Sequence, residues 1–466
     1  MIKNIIRVLL SNVATIISGI VIGFIIPKIL SVRDYGMYKT FTLYMTYAGF
    51  FSLGIIDGIV LKFGGIDYND LDRVKFRNYF KWYLLVHIIG GIGLISILMY
   101  VGNINIFFLL MIVLNIIFVN FTGYYQQISQ ITQRFKEFSL RKILQSIFGI
   151  VNVLILFILY LFHVSIKYEY YITLLVLSNG ILFFWYVNTY KDISLGKTET
   201  FYSTRNEIGT LIKCGLPLMF ANLLSTLILS LDQQFVNILF DSETYAIYAF
   251  AYNMLSLITV ATSAFATVLY PSLKRTNENS LKQKYTEIME LLQIFVSLTL
   301  VVYFPLNTFI HVFLPQYIES LYIFRIVLPG LIMSTSVTVV MHNYYKILGM
   351  NFLFFRKSII ILFLSAFANG VAYLIFKTPA SISAASIITI IIWYLYAEDY
   401  FVKEYSVNRW KNLSFSFNIM LIFYISSYIS NIIVGGIFFI ALYCLFVSLY
   451  YRKRILYMVR KWKRRV

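Results

Sequence analysis

Long apolar segments recur along the whole chain, and they constrain its fold more than any other feature. A window of about 20 residues is the length that a helix needs to cross the hydrocarbon core of a bilayer. Hydrophobic residues make up 60% of the chain and charged residues 13%, about half the charged share of a soluble protein. We therefore predict an all-α integral membrane protein with about fourteen transmembrane helices. The predicted spans are 5–30, 40–62, 81–101, 105–127, 143–163, 169–190, 211–239, 245–272, 287–310, 321–345, 357–377, 380–401, 415–433 and 434–451.

Basic residues provide a test of this topology. The chain has 39 Lys and Arg against 20 Asp and Glu, a net charge of +19. Such a balance also occurs in nucleic-acid-binding proteins, but the cytoplasmic loops of membrane proteins collect Lys and Arg. With the N-terminus inside, 33 basic residues fall on inner segments, 5 fall on outer segments and Arg325 lies within the tenth span. We therefore expect both termini in the cytoplasm and no nucleic-acid partner.

The two ends of the chain have further signals. No small-residue cleavage site ends the first apolar segment, so we interpret it as a retained span rather than a signal peptide. The tail 452–466 has eight basic residues, which is typical both of a stop-transfer anchor and of anionic-lipid or regulator binding. The 38 tyrosines are expected largely in belts at the two membrane interfaces.

A short motif recurs at matching places in two halves of the chain. The sequence YGMY at 35–38 follows the first span, and YAIY at 245–248 follows the seventh. Because six spans separate the two copies, the halves would share one orientation, as in transporters built from parallel repeats. We predict pseudo-symmetric six-helix bundles over 1–190 and 210–401, joined by a cytoplasmic linker over 191–209. Two appended helices follow over 402–451.

These motifs resemble those of the Wzx-type polysaccharide flippases, whose superfamily also holds MATE drug exporters and lipid II flippases. YGMY at 35–38 is similar to the family's YGxY element. The stretch 54–63 is similar to the family's glycine, Asp-Gly, aliphatic run, basic residue and aromatic residue. GLP at 215–217, Leu-Asp at 231–232 and YPSL at 270–273 also fit, although Gln233 stands where members often have Arg.

The resemblance implies a function and a location. A member of this family would translocate a lipid-linked oligosaccharide, in the undecaprenyl-diphosphate-linked form, across the bacterial cytoplasmic membrane by alternating access. Its partners would be this substrate, the membrane lipids and a glycan polymerase or glycosyltransferases.

Polar residues inside the apolar segments are the candidates for function, since an ionisable group costs roughly 2.5–3.5 kcal/mol at the bilayer centre. Asp232 shares a helical face with Gln233 and Asn237, which favours a cavity-lining role. Asp57 could alternatively pair with a nearby lysine, Arg325 could snorkel, and His342 could be a core histidine. Arg and Lys at the inner ends of spans 1 and 2 could bind phosphate, or simply follow the positive-inside rule. The candidates are Arg7, Asp57, Lys62, Asp232, Gln233, Asn237, Arg325 and His342.

Residues for catalysis and metal binding are scarce. The four histidines form no HxxxH or HExxH pair, and Cys214 and Cys444 lie far apart in apolar surroundings. We therefore expect no cofactor. Short outer loops disfavour a glycosyltransferase or polymerase. A cation-coupled exporter of the MATE type, with Asp57 or Asp232 as the coupling carboxylate, is the alternative function.

Overall fold

The computed structural model describes residues 2–101, 105–198, 200, 204–274 and 278–463. Within these ranges the chain forms helices and no β-strand, which confirms the predicted all-α class. Packing divides the chain into two units. Unit 1 comprises Met1–Ser230 and Phe240–Ala246, and unit 2 comprises Leu231–Leu239 and Ile247–Val466. The bundle boundaries inferred from the sequence stay a prediction.

Unit 1 contains eight helices and most of a ninth. They are α1 (Ile2–Ile29), α2 (Val32–Met45), α3 (Ile55–Phe63), α4 (Arg73–Val101), α5 (Ile106–Ile131), α6 (Phe135–Leu161), α7 (Tyr168–Thr189), α8 (Lys191–Ser194) and α9 (Arg205–Leu239). Short 3-10 turns cover Ala48–Ser52 and Tyr68–Asp70. The predicted linker 191–209 therefore begins with the short helix α8 and ends inside α9, while residues 199 and 201–203 lie outside the described ranges.

Unit 2 contains the end of α9 and most of the following helix. Its helices are α10 (Ser242–Lys274), α11 (Glu278–Thr299), α12 (Tyr303–Phe313), α13 (Ser320–Val327), α14 (Leu331–Thr335), α15 (His342–Ile347), α16 (Asn351–Phe376), α17 (Pro379–Tyr405), α18 (Arg409–Ser427) and α19 (Ile432–Lys463). A π-helical turn, Ser336–Met341, joins α14 to α15.

Each of the fourteen predicted spans is helical over most of its length, but fewer meet a length and hydropathy criterion for membrane crossing. Within the described residues, eleven helices meet it, or twelve when the bent pair formed by Val32–Ser52 and Ile55–Phe63 counts as one span. The helices α10 and α18 are not among them. The described part of the chain therefore contains eleven to twelve candidate spans, and the count of fourteen stays a prediction.

The second predicted span is not one continuous helix. Its helix begins earlier than expected, at Val32, where the Ser31 side chain caps the amide of Asp34. It is then interrupted at Leu53 and Gly54, which have positive φ angles of 46° and 73°, and the two parts are bent by 57°. Glycine adopts such angles at little cost, so Gly54 is where the chain changes direction.

The position predicted from the sequence for the last turn of the chain was wrong. The predicted spans 415–433 and 434–451 meet at residue 434, so that Val434-Gly435-Gly436 would have to form the turn. The chain instead turns at residues 428–431, and both glycines lie inside α19. A Cβ atom on Gly435 would lie 2.5 Å from the Ser426 carbonyl oxygen, and one on Gly436 would lie 3.3 Å from Phe304. These glycines are therefore needed for close helix packing rather than for a turn.

Tyrosines form much of the core of unit 1, and their expected place in interface belts stays a prediction. Tyr79, Tyr83, Tyr125 and Tyr190 are each fully buried. Buried phenol groups require hydrogen-bond partners, and these tyrosines find them. Tyr79 donates to Glu207 at 2.6 Å, and the hydroxyls of Tyr125 and Tyr190 lie 2.7 Å and 2.6 Å from serine hydroxyls.

Candidate functional site

The candidate site in unit 2 is centred on Asp232, near the end of α9. Only 2% of this residue is exposed. Its carboxylate accepts hydrogen bonds from the hydroxyls of Tyr248, at 2.7 Å, and Tyr252, which lie one turn apart on α10. The backbone N–H of Gln233 donates to the other carboxylate oxygen at 2.8 Å. A buried carboxylate is costly unless its oxygens are bonded in this way.

A line of small polar side chains extends from this carboxylate. The Ser383 hydroxyl of α17 donates to Tyr248 at 3.1 Å. One turn further along α17, Ser386 donates to the Asn369 side chain of α16 at 3.1 Å. These residues are all buried. Their i, i+3 spacing on α17 places them on one helical face.

Two amide atoms in this region have no hydrogen-bond partner among the described residues. They are the Nδ2 atom of Asn369, which is fully buried, and the Oε1 atom of Gln234, two residues after Asp232. Buried polar atoms are normally satisfied, so each of these two atoms retains an unused hydrogen-bonding position. Carboxylate, hydroxyl and amide oxygens suit a proton or a hard cation. Within the described residues, no three His, Cys, Asp or Glu side chains converge on one point.

The polar neighbours predicted on α9 occupy a less buried position. Gln233 and Asn237 are both half-buried, unlike Asp232. They are four residues apart and therefore lie on one helical face. Their role in lining a substrate cavity stays a prediction.

In unit 1, Asp57 and Lys62 belong to the short helix α3. Asp57 lies in its first turn, directly after the break at Gly54, and is half-buried. Lys62 lies in its last turn and is exposed, with its ammonium 5.3 Å from the centre of the Phe63 ring. Arg7 lies on α1 and is half-buried. Five residues later on the same helix, Asn12 accepts a 2.7 Å hydrogen bond from Lys142. The structure does not show these three candidates in one group.

Arg325 and His342 lie in the interrupted span of unit 2. The Arg325 guanidinium is 4.0 Å from the centre of the Tyr428 ring, a cation–π contact that accounts for a half-buried arginine there. His342 directly follows the π-helical turn, stacks on Phe354 with ring centres 4.4 Å apart, and is 7% exposed. Its Nε2 atom has no hydrogen-bond partner among the described residues. Single π turns are frequent at functional sites, which keeps His342 a candidate.

Sequence reasoning missed two buried charges. Arg141 of α6 is 3% exposed, donates to Thr189 at 2.5 Å and lies 4.3 Å from the Trp185 ring. Glu398 of α17 is fully buried and accepts a 2.8 Å hydrogen bond from Tyr394. The Tyr–Glu spacing of four residues on one helix is the signal that could have identified Glu398.

A bundle of long apolar helices is the architecture of a multi-pass membrane protein. A family model described as polysaccharide biosynthesis protein matches residues 1–277. The chain belongs to this family. A search of curated protein sequences finds no match.

Solved structures share the fold at low sequence identity. A lipid II flippase MurJ in an inward closed conformation aligns with a TM-score of 0.69 and 14% identity, covering 98% of this chain and 100% of that one. An inward-facing multidrug resistance MATE family transporter of the MOP superfamily aligns with a TM-score of 0.58 and 13% identity, covering 85% and 96%. A MOP superfamily transporter from Pyrococcus furiosus aligns at 0.57 and 13%, covering 87% and 94%. The protein thus has the fold of MOP superfamily transporters.

Proposed function

We propose that this protein flips a lipid-linked oligosaccharide, in the undecaprenyl-diphosphate-linked form, across the bacterial cytoplasmic membrane. The observation that carries this proposal is the joint similarity: a polysaccharide biosynthesis family model matches more than half of the chain, and the fold is similar to a lipid II flippase along 98% of its length. Alternating access of the two predicted six-helix bundles would move the headgroup, with both termini in the cytoplasm.

The candidate residues have distinct roles in this proposal. The diphosphate needs cations, and Arg7 and Lys62 would meet it at the inner ends of the first two spans. Gln233 and Asn237 would contact sugar hydroxyls. Arg325 and His342 would set the electrostatic charge along the path of the headgroup. The isoprenoid chain can stay in the lipid, so the protein need not enclose it. A glycan polymerase or glycosyltransferases would act on the same substrate before or after translocation.

A reconstitution experiment tests the proposal. Proteoliposomes are loaded on one side with a fluorescent undecaprenyl-diphosphate oligosaccharide, and a membrane-impermeant quencher is added to the other side. We expect rapid quenching with the protein and slow quenching in protein-free vesicles. In cells, deletion of the gene should cause the lipid-linked repeat units to accumulate on the inner face. Normal polymer export in a clean deletion would exclude the proposal.

A cation-coupled export of small molecules is the second candidate. The buried Asp232 cluster favours it, since one carboxylate among hydroxyls and amides is suited to bind a proton or a small cation. Efflux of a cationic dye from cells, measured with the wild type and with Asp232→Asn, separates the two functions. Dye efflux that depends on Asp232, without movement of the lipid-linked glycan, would favour the exporter.

An enzymatic role as polymerase or glycosyltransferase is the third possibility from the sequence. The solved structures with the same fold are described as flippases and transporters. We expect purified protein to leave the length of a glycan substrate unchanged. An increase in product length in that assay would establish the enzyme instead.

A further inference from the structure

A groove of about 400 Å³ lies on unit 2 between α16 and α17, close to the start of α18. Its walls are aliphatic, whereas one end is polar. The aliphatic residues are Ile360, Ile361, Leu364, Ile392 and Leu395, and the polar end is formed by Tyr396, Asp399 and Arg409. The groove therefore matches the two parts of a lipid molecule, since its aliphatic walls suit an acyl chain and its polar end suits a charged headgroup.

The polar end has more cations than carboxylates. Arg409 lies 3.4 Å from Glu398 and 3.6 Å from Asp399, and Lys403 lies 2.9 Å from Asp399. The ammonium of Lys357 donates to the Tyr396 carbonyl at 2.7 Å. Three cations thus face two carboxylates, and one of these carboxylates, Glu398, is fully buried. The excess positive charge is complementary to a phosphate group.

The residues around the polar end indicate which end of the groove would face the lipid headgroups. Trp410, next to Arg409, is 76% exposed, and exposed tryptophans mark the headgroup level of a bilayer. The side chain of Lys403 is also largely exposed. From Asp399 back to Ile392 the groove follows α17 for about 10 Å, away from the polar end. That length accommodates the upper part of an acyl chain, but only a small part of a long isoprenoid chain.

We propose that this groove binds one anionic diacyl phospholipid. Its phosphate binds Arg409 and Lys403, because guanidinium and ammonium groups pair with phosphate through charge-assisted hydrogen bonds. One acyl chain lies along Ile360, Leu364 and Ile392. The site is separate from the proposed flipping activity and does not depend on it.

Lipid binding to purified protein tests the site directly. Delipidated protein in detergent is titrated with phosphatidylglycerol or with phosphatidylcholine of the same acyl chains, and bound lipid is counted by native mass spectrometry. We expect one phosphatidylglycerol molecule to bind at least tenfold more tightly than phosphatidylcholine. Lys403→Gln should weaken phosphatidylglycerol binding severalfold, whereas Lys282→Gln, at an exposed lysine of α11, should leave it unchanged.

A second pair of variants tests the apolar part and keeps the ion pairs intact. Leu364→Trp should fill the groove and reduce phosphatidylglycerol binding at least tenfold. Ile388→Trp, at an exposed position of α17 outside the groove, is the matched control and should bind as the wild type does. Equal binding of the two phospholipids, or unchanged binding by Leu364→Trp, would overturn the proposal. Binding of an isoprenoid diphosphate in place of phosphatidylglycerol would also overturn it.

Discussion

The backbones of Gly54 and Gly215 are in direct contact: a Cβ atom added to Gly215 would lie 1.9 Å from the Gly54 carbonyl oxygen. One turn further along α3, a Cβ on Gly58 would lie 2.2 Å from the Leu211 carbonyl oxygen. Both sites combine glycine with a crossing helix, as small residues allow at helix contacts in membranes. The start of α3 and the first third of α9 therefore touch through main-chain atoms.

We expect Gly215→Ala to destabilise the protein by about 1–3 kcal/mol, because its methyl group overlaps backbone atoms that have no rotamer to change. The measurement is the thermal unfolding midpoint of the detergent-solubilised protein. Gly209→Ala on the same helix is the control, since nothing lies within 4 Å of its added Cβ. That variant should be as stable as the wild type or slightly more stable. Equal unfolding temperatures for the two variants would contradict the contact.

The repeated YGMY and YAIY motifs meet near the N-termini of α2 and α10. A Cβ on Gly36 would lie 2.0 Å from the Ser242 carbonyl oxygen, and the Ser242 hydroxyl lies 3.6 Å from the sulfur of Met37. We expect Met37→Cys combined with Ser242→Cys to form a disulfide upon mild oxidation. If this contact opens during alternating access, oxidation should reduce transport at least tenfold, and a reductant should restore it. The single-cysteine variants under oxidation are the controls; unimpaired transport by the crosslinked protein would show that this contact need not open.

Asp232→Asn tests whether the charge of the buried carboxylate is used. Asparagine keeps the shape, and its one oxygen can accept the hydrogen bonds from Tyr248 and Tyr252, although its NH2 group loses the bond from the Gln233 N–H. The fold should therefore persist with a modest loss of stability. If the protein is the cation-coupled exporter, we expect efflux of the cationic dye to fall at least tenfold, because an amide cannot take up and release a proton or neutralise a cation. Asp241→Asn, the control, changes an exposed carboxylate nearby in the sequence. This variant should export the dye at the wild-type rate. Equal rates for both variants would assign Asp232 a structural role only.

Because the Asp241 carboxylate caps α10, we expect the stability of the protein to depend on pH. It precedes α10 and accepts a 2.7 Å hydrogen bond from the Thr244 backbone N–H, which lowers the pKa of its carboxyl below the usual 3.8. A lowered folded-state pKa means that the stabilisation is complete above the ordinary pKa and is lost as the pH falls through the lowered value.

Loss of this hydrogen bond should lower the free energy of unfolding by at most about 1 kcal/mol, as for other helix caps. Unfolding temperatures of the wild type and Asp241→Asn are compared between neutral and strongly acidic pH. The wild type should lose stability relative to Asp241→Asn only in the acidic range, because asparagine caps the helix without titrating. A constant difference across the pH range would contradict this assignment.

Hydropathy predicted the helices well because a membrane-spanning helix satisfies its own backbone hydrogen bonds and needs only a sufficient apolar length. That requirement is local, so the segments 105–127 and 169–190 match α5 and α7 within a few residues. The break of the second span was not predicted, because Leu53 and Gly54 do not interrupt the apolar run. The turn before α19 was misplaced, because a pair of glycines is as typical of a turn as of a close helix contact.

The candidate site was predictable only in part. Asp232 could be chosen from the sequence, since a carboxylate in an apolar segment is expensive wherever the helix packs. Its partners could not be chosen, because Tyr248 and Ser383 are ordinary residues of α10 and α17 until those helices come together. The same holds for Glu398, which looks like an interface residue until Tyr394 and Arg409 enclose it.

By itself, the sequence determined that this protein is an all-helical membrane protein and which polar residues are costly to bury, since both follow from the composition of single segments. Only the tertiary structure decided that Gly54 meets Gly215, that two tyrosines hold Asp232 and that aliphatic residues of α16 and α17 form a groove ending at Arg409. Contacts of this kind depend on which faces of different helices pack together. The local sequence pattern of one helix does not specify its partner.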